Sequence, residues 1–178
     1  MSVGNGLPTT RTWTWDGRTW ALRHPPHELP VGGAAPRLAT VGPDAPARLG
    51  RGVLALFEDT GNLTETWLWD GSTWSERAAA TTPPYDPLGA TIAEDPATGV
   101  VILIGLQNVG NGDTWVWDGA TWRRAGVAPD VDSLYGGTSL VSDLYTGHVV
   151  VIGDSGRPNR FDVLWSFGGH DWVSDGGV

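Results

Sequence analysis

Nine residues recur along this chain. TWTWDGRTW at 12–20 returns as TWLWDGSTW at 66–74 and as TWVWDGATW at 114–122, and a worn copy, LWSFGGHDW, stands at 164–172. Their first tryptophans, Trp13, Trp67, Trp115 and Trp165, lie 54, 48 and 50 residues apart. All eleven tryptophans of the 178-residue chain fall inside these copies. A period of about 50 residues built on short strands marks a single domain of stacked β units.

Within a unit the physics is local. Trp67 and Trp69 stand two apart, so on a strand they share one face. Asp70-Gly71 signals a tight hairpin, because glycine accepts positive φ and aspartate tolerates it. A two-residue loop sets Trp67 opposite Trp74 as a cross-strand aromatic pair on a buried face; a four-residue loop shifts that pairing. Trp13/Trp20 and Trp115/Trp122 repeat the arrangement. Tryptophans at one phase in every unit read as core, with the outermost partly exposed, rather than as a platform for sugars or bases.

Taken in order, strands are expected at 12–15 and 19–23, with no apolar strand before them, so the first unit is short by two strands. Residues 24–50 are a Pro-, Gly- and Ala-rich connection with a weak strand at 37–41. GVLALF at 52–57 is a clear apolar strand leading to the second motif and a strand at 73–77; Pro83, Pro84 and Pro87 then forbid a central strand. LGATIA at 88–93 and VVILI at 100–104 flank the turn EDPATG. LYGGTSLV at 134–141 and HVVVI at 148–152 flank SDLYTG. The second strand of each pair is apolar on both faces, as in a packed stack. No helical periodicity of useful length occurs. Radially stacked four-stranded sheets form a propeller.

Composition narrows the function classes. With no cysteine, disulfides, thiolate metal sites and a cysteine nucleophile are out. A formal charge of −9 argues against nucleic acid as a partner, since phosphate binding calls for clustered Lys and Arg. The longest apolar run, VVILIG at 100–105, is strand-sized and not a membrane span. MSVGNGLPTT has neither the basic region nor the apolar core of a signal peptide, which gives a cytoplasmic reading.

The strand pattern and the repeated motif resemble the Kelch repeat family in its galactose-oxidase-central-domain-like form. The match is best at 100–122, where VVILIG is followed by Gly112, Asp113, Thr114, Trp115, Val116, Trp117, Asp118 and Gly119. It departs at Glu65, which stands where the family has Asp. The Gly-Gly after the apolar strand is degenerate, as Glu58-Asp59, Gly105-Leu106 and Gly153-Asp154. The resemblance covers about residues 12–172 and implies an all-β, Kelch-like β-propeller of about three complete four-stranded blades plus a two-stranded partial blade. Such propellers usually have five to seven blades. Three closures stay open: a small distorted four-unit ring, a capped open array, or two chains sharing one larger ring as a homodimer. The copper chemistry of galactose-oxidase-like enzymes needs Tyr, His and a Cys-linked Tyr. With no Cys and only Tyr85, Tyr135 and Tyr145, it cannot be carried over.

The remaining chemistry is sparse. Asp95, Asp143 and Asp44 recur after the first strand of a unit, where aspartate caps turns through backbone N–H groups. His148, beside a carboxylate such as Asp143, is the candidate base; His170 is a second, although the neighbouring Asp171 points the other way on a strand. Ser139 and Ser142 lack a nucleophile-elbow context. Asp113 and Asp154, with Asp59 and Asp162, precede the W-x-W strands and are candidates to meet a ligand at a channel mouth. Arg157 and Arg160 form a small basic loop suited to a carboxylate. His24 and His27 read as a solvated turn. No metal or cofactor is expected: Ca²⁺ would need about six oxygens, and no D-x-D-x-D loop supplies them. The expected function is binding of a protein or small ligand by loops on one propeller face. The alternatives are a small-molecule hydrolase, lyase or cyclase with a pocket at the channel mouth or subunit junction, and a carbohydrate-binding propeller.

Overall fold

The apolar runs and W-x-W motifs all become strands in the computed structural model, which describes residues 10–30, 35–58, 64–84, 90–105, 112–127, 139–153, 163–168 and 171–174. Among the described residues the protein is all-β, in four antiparallel sheets. Unit 1 is the two-stranded β1 (Trp13–Trp15) and β2 (Trp20–Leu22). Unit 2 is β3 (Arg37–Val41), β4 (Gly52–Glu58), β5 (Thr64–Trp69) and β6 (Trp74–Glu76). Unit 3 is β7 (Thr91–Glu94), β8 (Val101–Gly105), β9 (Asp113–Trp117) and β10 (Trp122–Val127). Unit 4 is β11 (Ser139–Asp143), β12 (His148–Gly153), β13 (Val163–Phe167) and β14 (Trp172–Ser174). Units 2 to 4 are meanders in which sequence neighbours pair. The weak strand at 37–41 forms in full as β3, at one edge of its sheet, and residues 134–138 of the expected strand at 134–141 lie outside the described residues. None of the described helices is long and apolar enough to cross a membrane.

The two-residue hairpin is not formed. Trp67 faces Glu76, and Trp74 pairs with Trp69 across a loop of four residues. The Asp70 side chain decides this. Its Oδ1 accepts the backbone N–H groups of Ser72 at 2.8 Å and Thr73 at 2.9 Å, while the Asp70 N–H donates to the Thr73 carbonyl at 3.3 Å. This Asx turn takes in two residues beyond the Asp-Gly dipeptide, Ser72 and Thr73. Gly71 takes the positive φ of 98° that the turn requires. Asp16 and Asp118 build the same turn. The bonds from Thr73 and Thr19 hold Asp70 and Asp16 below the usual carboxylate range. The outcome is a tilted aromatic pair in every unit: Trp15–Trp20, Trp69–Trp74, Trp117–Trp122 and Phe167–Trp172.

Sheets pack face on face. The aliphatic face of unit 2 (Leu54, Leu56, Leu68) meets the tryptophan face of unit 3 (Leu103, Trp117, Trp122). The other face of unit 3 (Ile102, Ile104, Val116) meets Val149, Val151 and Phe167 of unit 4. Successive residues of β8 therefore enter two different cores, which is why VILI carries no polar alternation. The tryptophan face of unit 2, with Ala55 and Phe57, is covered by Leu29 of the connection from unit 1.

Candidate functional site

Asp143, Asp95, Asp113 and Ser142, among the candidate chemical groups, have local structural roles. Asp143 and His148 are direct cross-strand partners on β11 and β12. The Asp143 carboxylate is already engaged: Oδ2 accepts the Thr146 hydroxyl at 2.6 Å and Oδ1 the Tyr145 N–H at 2.9 Å. These bonds, led by Thr146 and followed by Tyr145, hold Asp143 below the usual carboxylate range, and the charge of His148 adds a smaller effect. His148 keeps a buried Nδ1 with no hydrogen-bond partner. Asp95 caps the matching turn of unit 3 through Ala97 N–H and the Thr98 hydroxyl. Asp44 is exposed in the longer connection after β3.

Asp113 forms an ion pair with Arg124, Nη2 to Oδ1 at 2.6 Å. In the matching place Glu65 accepts the Trp67 indole N–H at 2.7 Å. The Ser142 hydroxyl donates to the Glu94 carbonyl at 2.6 Å, and Ser139 is exposed. His24 and His27 are exposed, and the His27 carbonyl accepts the Trp74 N–H at 3.2 Å. Asp154, Arg157 and Arg160, together with Asp59, Asp162 and His170, lie outside the described residues. Among the described residues no three His, Cys, Asp or Glu side chains are grouped to hold a metal ion.

One carboxylate is placed under stress. Both oxygens of Glu94, on edge strand β7, accept the Gly42 N–H of the neighbouring unit at 2.9 Å. Burial pushes this carboxyl up; the Gly42 bond works against that, and the charges of Asp95 and Asp44 reinforce it. A glutamate raised in the folded state costs stability once ionised, so the cost is absent in acid and grows as pH rises above the ordinary glutamate value. Glu94→Gln is expected to flatten that decline, so that the variant gains on the wild type between acid and neutral pH in chemical denaturation. Parallel pH profiles for the two proteins would remove the assignment.

What the repeat builds is a joint. The Trp74 indole N–H donates to Thr12 Oγ1 of unit 1 at 2.8 Å, Trp122 to Thr66 of unit 2 at 2.9 Å, and Trp172 to Thr114 of unit 3 at 2.8 Å. The connections leaving units 1 and 2 reinforce it. Trp74 N–H donates to the His27 carbonyl and Trp122 N–H to the Thr81 carbonyl, both at 3.2 Å. Sequence reasoning missed these threonines, although the signal was present: Thr12, Thr66 and Thr114 each precede the first tryptophan of a motif. At the fourth copy that place is Leu164, aligned with Thr114 by register, since Ile152 faces Leu164 as Ile104 faces Thr114.

The two ends of the array are open. Trp15 and Trp20 of unit 1 are 51% and 65% exposed, whereas their counterparts Trp117 and Trp122 are 1% exposed. Trp13 is exposed as well. The expectation that the tryptophans are core therefore holds for units 2 and 3 and fails for unit 1, because among the described residues no unit covers that face. At the other end, Val141 and Ile152 are 49% exposed, whereas Ala93 and Ile104, in the same places of unit 3, are 6% and 0%. Val173 on β14 extends this exposed aliphatic face. Among the described residues β1 pairs only with β2, so its second edge has no strand partner. Comparison with protein-family models, with curated proteins and with solved structures finds no match to this chain.

Proposed function

We propose that this chain is a protein-interaction module of the Kelch-like propeller type, and that its binding surface is the open tryptophan face and free β1 edge of unit 1. One observation carries the reading. The Trp15–Trp20 rings lie 5.5 Å apart at 43°, and the buried Trp69–Trp74 and Trp117–Trp122 pairs lie 5.6 Å apart at the same angle. The exposed pair is thus already set in the geometry that its counterparts adopt under a neighbouring sheet. Exposed, preorganised tryptophans suit a protein interface, and an unpaired strand edge accepts an added strand.

The same exposed indoles favour a second reading, carbohydrate binding, because sugars stack on aromatic faces. The two separate in a titration of the full chain. A peptide of residues 91–105, the strand pair that covers the matching edge in unit 3, is expected to bind and shift tryptophan emission to the blue. Trp15→Asp should abolish the shift, and soluble oligosaccharides should leave emission unchanged. A saccharide response without a peptide response would replace the protein-partner reading with the carbohydrate one.

A further inference from the structure

We infer that the partner of the open tryptophan face is the open aliphatic face of a second copy of this chain, joined head to tail; this rests on the interaction reading above. Each of the two inter-sheet cores, between units 2 and 3 and between units 3 and 4, sets a tryptophan-side face on the aliphatic face of the preceding unit. Among the described residues, one face of each kind is uncovered. Trp13, Trp15 and Trp20 stand at one end, and Val141, Ile152 and Val173 at the other. The exposed aliphatic residues sit in the register places whose unit 3 counterparts, Ala93 and Ile104, lie under unit 4. A joint between copies therefore continues an interface that the chain already makes within itself. Such a joint is heterologous, with different surfaces on the two partners.

Charge adds to the match. Arg11, Arg18 and Arg23 flank β1 and β2 in sequence, with Asp16 the only acid between residues 10 and 23, on a chain of formal charge −9. The basic end is drawn to the acidic remainder of another copy, an attraction that salt weakens. A joint between copies, unlike the joints within a chain, is reversible on dilution.

Light scattering on a sizing column, over a dilution series of the full chain, tests this. The wild type is expected to rise above the one-chain mass of 18.9 kDa as concentration increases. Trp15→Asp removes one face and Ile152→Asp the other. Both positions are exposed, and unchanged melting curves verify that the variants fold. Each alone should stay at the one-chain mass, and an equimolar mixture should associate, because each variant keeps the face that the other has lost. Ile152→Asp associating as well as the wild type would overturn the inference in favour of edge-to-edge pairing of two β1 strands. A wild type that stays at one-chain mass throughout, or a mixture that does not associate, would also overturn it. Binding of the 91–105 peptide in those cases would leave the interaction reading standing with a different partner; loss of both would remove the two together.

Discussion

Trp122→Ala is expected to cost about 3–5 kcal/mol of unfolding free energy. Three interactions disappear at once. The side chain is 1% exposed in the core between units 2 and 3. It pairs with Trp117 at 5.6 Å, and its indole N–H reaches Thr66 of the preceding sheet at 2.9 Å. Thr66→Val separates the last of these, leaving a buried donor without an acceptor at a cost of about 1–3 kcal/mol. Trp20→Ala, at the same place in unit 1, should cost under about 1 kcal/mol, as exposed substitutions usually do. Urea denaturation of the three variants gives the comparison. Equal losses at Trp122 and Trp20 would contradict the contrast in burial on which the open face rests.

Gly52→Ala should be comparably severe for a different reason. Gly52 opens β4 at φ 132°, and a Cβ there would lie 1.8 Å from the Trp69 carbonyl oxygen of β5. Neither the dihedral nor the overlap can be relieved by turning a side chain, because the obstacle is backbone paired in the same sheet. A residue forced into this glycine-only region costs about 1–3 kcal/mol, and displacement of β5 adds to that. Gly71→Ala is the control: φ is 98° and a Cβ would meet nothing within 4 Å, so only the dihedral cost of about 1–2 kcal/mol applies. Thermal melts in which Gly52→Ala is no worse than Gly71→Ala would show that β5 yields more easily than this packing allows.

The strand order was legible because its causes are local. VVILI cannot be a surface strand, and Trp-x-Trp followed by Asp-Gly can hardly be anything but a hairpin arm. The register was less legible. Asp-Gly suits loops of two or four residues, and the choice falls to the Asp70 carboxylate reaching Ser72 and Thr73, a side-chain preference that the dipeptide does not display. Burial of the tryptophans was legible only on average. Trp20 and Trp122 hold the same place in their motif copies and have opposite exposure, because exposure depends on whether another sheet packs on that face. The same limit applies to the site. Asp143 and His148 do meet, yet which hydrogen bonds occupy the carboxylate depends on Tyr145 and Thr146 folding back over it.

The repeated indole-to-threonine joint also governs how the molecule comes apart. Stability in a row of like units is a sum of each unit's own contribution and its nearest-neighbour couplings. Unit 3 is held by a joint on both sides, through Trp122 to Thr66 and through Trp172 to Thr114. Unit 1 is held on one side only, with two strands of its own. Local opening under native conditions therefore runs from the ends inward. Amide protons of β1 and β2 exchange with solvent first, and those of β8, buried on both faces, exchange only when the whole array melts.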